Sequence, residues 1–431
     1  MTLHLRMFVL VMAMVLAAAT AAHAEDDFIT RDEFNKFRAE FEKFRVENEK
    51  LKAQNAQLAK AVENVKTSQQ HPGVESKLNT YLAPPPPGQV ASKDDVDAVR
   101  SGTTKFLISG WSDAGFEDRS GQNSTFTASF HPVFLWKVSD KISFESDFGY
   151  ATIDYNVSDN LNLELGRFLT PVGTFMRTQR PSWINKFPDR PFAFDESRSL
   201  VPELSLGAMA EGAINAGPTK VNYAAFVANG PELNAGSPTN FGTLNGGGND
   251  SNQNKAFGGR IGFQPIPELE VGASMEMGRV GSHRTQQSGI DARLLAADLN
   301  YCKQFEAIKG TVDIRAEWVW SNVGDATYDI DGDVPFNNNH RDGGYAQMAY
   351  RPTLIDQKYV RNLEIALRYD RIDNPAMTPD TPDEARVQRV DRDRWTLGLN
   401  YWLGPSTVLK LAYEKDTRDD HALLFQFALG F

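Results

Sequence analysis

Between residues 175 and 192 stand four cations, Arg177, Arg180, Lys186 and Arg190, and one anion, Asp189. The whole chain carries a net charge of −11, so a local +3 is unusual. Arg198 follows further along. A guanidinium presents a planar fork of donors that matches carboxylate or phosphate oxygens. Cations gathered in a narrow, low-dielectric passage would concentrate anions and lower their entry barrier. The plainer alternative is a solvated surface loop whose arginines pair with Asp189, Asp195 and Glu196. Prolines (Pro171, Pro181, Pro188, Pro191, Pro202) and interleaved aromatics (Trp183, Phe187, Phe192, Phe194) predict a packed loop rather than a loose one.

Such a loop needs a frame. From residue 104 to the end, polarity alternates with a period of two. Leu363, Ile365, Leu367 and Tyr369 share one face, while Glu364, Arg368 and Asp370 share the other. Residues 141–148, Trp395 to Leu403 and Leu423 to Phe431 repeat the pattern. This is the signature of strands with one apolar face. In a soluble sandwich that face meets a second sheet; in a membrane barrel it meets lipid.

Loop lengths separate the two. Strands are expected near 104–116, 124–137, 141–148, 150–157, 161–168, 206–215, 219–228 and 256–264. Eight more are expected near 268–278, 292–302, 307–320, 343–351, 361–372, 391–403, 406–416 and 422–431. The connections at one end are short, such as Val138-Ser139-Asp140 and Gly404-Pro405. Those at the other end are long: 169–205, 229–255, 279–291, 321–342 and 373–390. The short connection near residue 149 is the exception. Short turns on one side and long loops on the other mark an outer-membrane barrel. Trp111, Trp136, Trp318, Trp320 and Tyr401 lie near strand ends, where aromatic girdles belong. The expected fold is therefore all-β: a transmembrane antiparallel β-barrel of about 16 strands, preceded by an α-helical coiled coil.

Alternation turns a second set of charges into the lumen. Arg260, Arg315, Arg368, Arg394 and Lys410 are the expected pore-lining cations. Glu145, Asp147, Glu164, Asp313, Glu317 and Asp370 point the same way. Many of these could simply pair with one another.

The first residues look like an export signal. Arg6 precedes an apolar run from Met7 to Ala19, and Ala22-His23-Ala24 offers a cleavage site. Residues 30–66 then carry apolar residues at alternating spacings of three and four, from Phe34 through Phe44 to Val65. That is the seam of a coiled coil. Asn48 and Asn55 occupy seam positions, where buried amides fix register. Glu33, Glu40 and Glu47 precede Arg38, Arg45 and Lys52 by five residues, the spacing of ion pairs between parallel helices. Both dimer and trimer stay open on this pattern. Residues 68–103, with the run Pro84 to Pro87, read as a stiff linker.

Other chemistries find little support. The expected mature chain has 44 basic and 56 acidic residues, an acidic balance that argues against nucleic acid. No G-x-S-x-G, H-E-x-x-H or C-x-x-C-H motif is present. Asp325, Asp329, Asp331 and Asp333 lack the glycine placement of a calcium loop. Neither an enzyme nor a metal or cofactor carrier is expected.

The stretch Gly166-Arg167-Phe168-Leu169-Thr170-Pro171-Val172-Gly173 resembles the G-x-F-x-x-P-x-G segment of phosphate-selective (O/P-type) porins, which stands before their constriction loop. Heptads followed by a barrel also resemble the DcaP-type trimeric porins. The terminal strand ending in Phe431 resembles the C-terminal signature of bacterial outer-membrane proteins. These resemblances imply a homotrimer in a Gram-negative outer membrane, with its arm in the periplasm. They imply passive uptake of small anions such as phosphate or carboxylates, with 169–205 as the constriction loop. The acidic barrel departs from that pattern and leaves the solute open. Two alternatives remain: a structural tether reaching peptidoglycan through the coiled coil, and a sheath for a partner threaded through the lumen.

Overall fold

The computed structural model describes residues 105–195, 200–233, 244–246, 252–282, 289–329, 333–336, 339–378, 386–417 and 420–431. The export signal, the coiled coil with Asn48 and Asn55, the proline linker and Arg198 lie outside the described residues.

Sixteen antiparallel strands close into one barrel. The first seven are β1 (Lys105–Arg119), β2 (Thr125–Lys137), β3 (Ile142–Ser146), β4 (Ala151–Ser158), β5 (Leu161–Leu169), β6 (Leu204–Ala216) and β7 (Thr219–Ala228). A small hairpin, β8 (Glu232–Leu233) with β9 (Leu244–Asn245), follows as a separate two-stranded sheet. The wall resumes with β10 (Ala256–Ile266), β11 (Leu269–Arg279), β12 (Asp291–Phe305) and β13 (Gly310–Val323). A second hairpin, β14 (Ala326–Asp329) with β15 (Asp333–Phe336), stands apart. The wall ends with β16 (Asn339–Arg351), β17 (Leu363–Thr378), β18 (Arg386–Gly404), β19 (Thr407–Asp416) and β20 (His421–Gly430). Closure comes from β1 against β20, in register from Trp111↔Gly430 to Arg119↔Ala422. A closed ladder leaves no unpaired edge, which a strand surrounded by lipid requires.

The sixteen barrel strands correspond one to one with the sixteen expected, but two connections differ. Residues 373–390 are not a long loop: β17 and β18 stay paired to Thr378↔Arg386, building a tall hairpin. Residues 321–342 are largely strand, shared among β13, the β14–β15 hairpin and β16. The outer ends of β17 and β18 carry no apolar alternation, and β14 and β15 are only four residues long, so the pattern does not reveal them.

The polarity is inside out for a soluble protein. Phe126 is 79% exposed and Phe148 is 78% exposed, and both point outward. Ile153, Leu165, Ile261, Ile365, Trp395 and Leu397 are also exposed. Inside, Arg368 and Asp370 are fully buried. Leaving a large apolar side chain in water forgoes roughly 1.5–3 kcal/mol. An outer face covered with such side chains is stable only against an apolar medium. Trp111 departs from the girdle expectation. It is 3% exposed, faces inward and stacks on His131 with ring centroids 4.9 Å apart.

Candidate functional site: a loop seated in the lumen

The connection between β5 and β6 turns into the barrel, and the stretch beginning at Gly166 shows how. Gly166 has a φ of +132°, and a side chain there would collide with the Ala151 carbonyl of β4. Phe168 is fully buried against Phe226 of β7. Gly173, with φ +73°, makes the turn itself. Its open side is filled by the Glu317 carboxylate of β13, whose Oε1 would lie 1.6 Å from any Cβ at this position.

Helix α1 (Phe175–Thr178) begins on that carboxylate. Glu317 Oε2 accepts from the Thr174 amide at 3.0 Å and the Phe175 amide at 2.8 Å. Ser274 Oγ of β11 accepts from the Gly173 amide at 2.7 Å. These bonds satisfy helix-start donors that have no partner within the helix.

An apolar seat holds the next part. Val172, Phe175, Met176, Phe192, Phe194 and Leu200 pack with Leu294, Val319 and Tyr345 of the wall. Phe175 and Phe194 stack at 5.0 Å, and the Tyr345 ring meets both edge-on. The Tyr345 hydroxyl accepts from Gln179 Nε2 at 2.6 Å. Phe187 is buried with Ala349, Ala366, Ala412 and Leu424. Small wall residues make room for the large loop ring.

The cations of the loop reach carboxylates of the wall. Arg177 Nη2 donates to Glu211 Oε2 of β6 at 2.6 Å. Arg180 donates to Asp147 Oδ2 at 2.7 Å and to Glu203 Oε1 at 2.8 Å. Its guanidinium also lies over the rings of Trp111 and Tyr150. Lys186 donates to Glu364 Oε2 at 2.8 Å and lies 3.7 Å from Asp313. Arg190 pairs with Glu203 at 3.4 Å. Asp189 does the reverse: its carboxylate accepts from Arg368 Nη2 at 2.8 Å and from Arg394 Nη1. The wall arginines also hold the loop backbone, at the Asp189 carbonyl (3.1 Å) and the Arg190 carbonyl (2.9 Å).

Of the partners in the surface-loop alternative, Asp189 reaches wall arginines, and Glu196 lies outside the described residues. Arg177, Arg180 and Lys186 reach wall carboxylates, Arg180 and Arg190 also meet Glu203 at the loop's end, and the loop anion Asp189 answers to wall cations. Burial is the largest influence on Lys186 and Asp189 and opposes their charge. Wall partners outweigh it. Glu364 and Asp313 raise the Lys186 ammonium above its ordinary range. Arg368 and Arg394 hold the Asp189 carboxyl well below the usual carboxylate range.

The five expected lining cations all turn inward, and each is already engaged. Arg260 binds Asp298 and Glu270, and Arg315 binds Asp313. Arg368 and Arg394 share Asp370. Lys410 is held by neutral oxygens: the Ser182 and Phe187 carbonyls and Gln426 Oε1. Glu203, Glu211, Glu270, Asp298 and Glu414 are partners that the sequence-level view passes over. Strand β6 signals Glu211, because it shares the inward face of Ser205 and Met209. Glu203 stands just before a strand and gives no such signal. Among the described residues, no group of three or more His, Cys, Asp or Glu side chains is placed to hold a metal ion.

With a closed sixteen-strand wall, an apolar outer face and a loop folded into a charged lumen, the arrangement has a known counterpart. Residues 295–424 match the family described as "Phosphate-selective porin O and P". The matched stretch runs from within β12 to within β20, the C-terminal part of the barrel wall. No curated protein sequence matches it. Among solved structures, it is similar to the outer membrane channel DcaP of Acinetobacter baumannii, at 13% identity and a TM-score of 0.47, covering 78% of this chain and all of that one. An anion-selective porin from Comamonas acidovorans aligns at 12% identity and a TM-score of 0.48, covering 76% of this chain and all of that one. OmpT of Vibrio cholerae, in its trimer form, aligns at 9% identity and a TM-score of 0.47, covering 77% of this chain and all of that one.

Proposed function

We propose that this chain is a porin, a passive diffusion channel for small hydrophilic solutes with a preference for anions such as phosphate or carboxylates. The loop 169–205 is its constriction, and Arg177, Arg180, Lys186, Arg190 and Arg198 supply the cationic field. The observation that carries this reading is the transfer of a +3 segment into the interior of a closed barrel. Arg260, Arg315, Arg368, Arg394 and Lys410 line the wall around it. Each described loop cation already faces a carboxylate, so the preference is mild.

Bilayer recording across a KCl gradient tests this. The reversal potential should show chloride ahead of potassium. Neutralising Arg177, Arg180, Lys186 and Arg190 together should move it toward potassium. Strong cation selectivity that this quadruple variant leaves unchanged defeats the proposal.

In the same reading, the heptads with Asn48 and Asn55 join copies of the chain, as a trimer, through a periplasmic arm. Residues 31–66 would reach roughly 54 Å as a helix, enough for contact with peptidoglycan. Deleting residues 25–80 should then abolish recovery of the protein with isolated cell wall and leave conductance intact. A sheath role has little support, because the lumen holds the chain's own loop.

A further inference from the structure

The lumen arginines assigned above all reach carboxylates. Arg351, the last residue of β16, does not. It lies on the inward face, because its register partner Thr311 and its same-face neighbour Ala349 are both buried. Among the described residues, no carboxylate comes within ion-pair distance of it.

Register shows which partner it misses. Tyr350 pairs with Ile365, so one position further on Arg351 stands beside Glu364. Paired strands lie about 4.8 Å apart, well within reach of an arginine side chain. The seated loop takes that carboxylate instead. Glu364 Oε2 accepts from Lys186 Nζ at 2.8 Å, and Glu364 Oε1 accepts from Asn400 Nδ2 at 2.9 Å. Arg351 turns toward the short-turn end of the barrel. Its Nε donates to the Arg361 carbonyl at 3.0 Å, and its guanidinium lies over the Trp402 ring, 5.2 Å from the centroid. Both Nη groups are left without a partner among the described residues, on a side chain that is only half-buried.

The charge around Arg351 is unbalanced. The nearby acids Glu364 and Asp313 are taken by Lys186 and Arg315. Lys410, in one strand row with Glu364 and Asn400, is held only by neutral oxygens. Helix α2 (Lys358–Arg361), in the connection from β16 to β17, adds two cations that form no ion pair among the described residues. Asp356 is the one acid of that connection. A free guanidinium fork offers two parallel N–H donors, which match the two oxygens of a carboxylate or one edge of a phosphate. A spherical halide fills only one of those places. Stacking on Trp402 fixes the plane of the fork. We propose that Arg351 is an oxyanion subsite at the short-turn mouth of the lumen. This rests on the channel reading and adds to it a residue that separates oxyanions from halides.

The test is single-channel conductance of the full-length protein, in rising potassium acetate and separately in rising potassium chloride. In acetate the wild type should saturate, since a bound oxyanion must leave before the next one enters. Arg351→Gln should raise the half-saturating acetate concentration by about threefold or more, and should change the chloride curve less. Arg351→Lys keeps the charge and loses the fork, so it should also weaken saturation by acetate. Should Arg351→Gln not assemble, Arg351→Lys carries the test alone. Acetate conductance that never saturates in the wild type, or that saturates alike in both variants, overturns the subsite while leaving the channel intact. If bilayers show no conductance in either salt, the channel reading fails and the subsite falls with it.

Discussion

Asp189 is the lone acid of a basic segment, and its carboxylate reaches Arg368 and Arg394 on the wall. Removing one partner of a buried ion pair typically costs about 3–5 kcal/mol, because the other charge is stranded. Asp370 and Glu414 remain to share the two arginines, so the lower end applies. Asp189→Asn is expected to loosen the loop by about 3 kcal/mol. Limited proteolysis of the assembled barrel should then cut within residues 181–192, where the wild type resists. Gly173→Ala should do more, since its methyl collides with Glu317 while φ +73° disfavours any side chain. Its single-channel trace should become noisy, with several conductance levels. A trace as quiet as the wild type's would show that the turn tolerates a methyl. The basic cluster and the inward direction of Arg368 and Arg394 are legible in the residues themselves. Their joining through Asp189 is not, because it links positions far apart in sequence by distances that only the closed wall defines.

Two of the charges that hold the loop, Asp189 and Lys186, titrate far from neutrality. Asp189 titrates below its unfolded value near 3.9, so its contribution is full above that pH and is lost as pH falls through the depressed value. Lys186 is raised above its unfolded value near 10.4, so its contribution is full below that pH and is lost only as pH rises beyond the raised value. Between roughly pH 4 and 10 neither contact weakens. The difference in proteolytic protection between the wild type and Asp189→Asn should be flat across that range and shrink below it. A difference that changes between pH 5 and 8 would mean that Asp189 does not act through its charge. The strands show where pattern stops informing. Period-two alternation located every barrel strand, since one face meets lipid along its membrane-spanning length. Beyond the membrane both faces meet water. The upper halves of β17 and β18 therefore carry no apolar stripe, and β14 and β15, at four residues each, are too short for their alternation to stand out. Trp111 misleads for a related reason. Its place near a strand end suits a girdle, but alternation turns it inward, over His131 and under Arg180.

At the scale of the whole molecule, the outer face predicts where lipid lies. Trp136, Trp320 and Trp395 are exposed on it, whereas Trp111 and Trp183 are enclosed. In vesicles containing brominated lipid, fluorescence from the first three should be quenched. A variant that retains only Trp111 and Trp183 should keep most of its emission. Equal quenching of both sets would contradict the inside-out polarity. The account as a whole rests on the loop narrowing an aqueous lumen. The most direct test replaces residues 175–192 with a short Gly-Ser connection and compares single-channel conductance with that of the full chain. The account predicts a severalfold rise with weakened ion preference, because the cations leave with the loop. Conductance and selectivity unchanged by the replacement would contradict it.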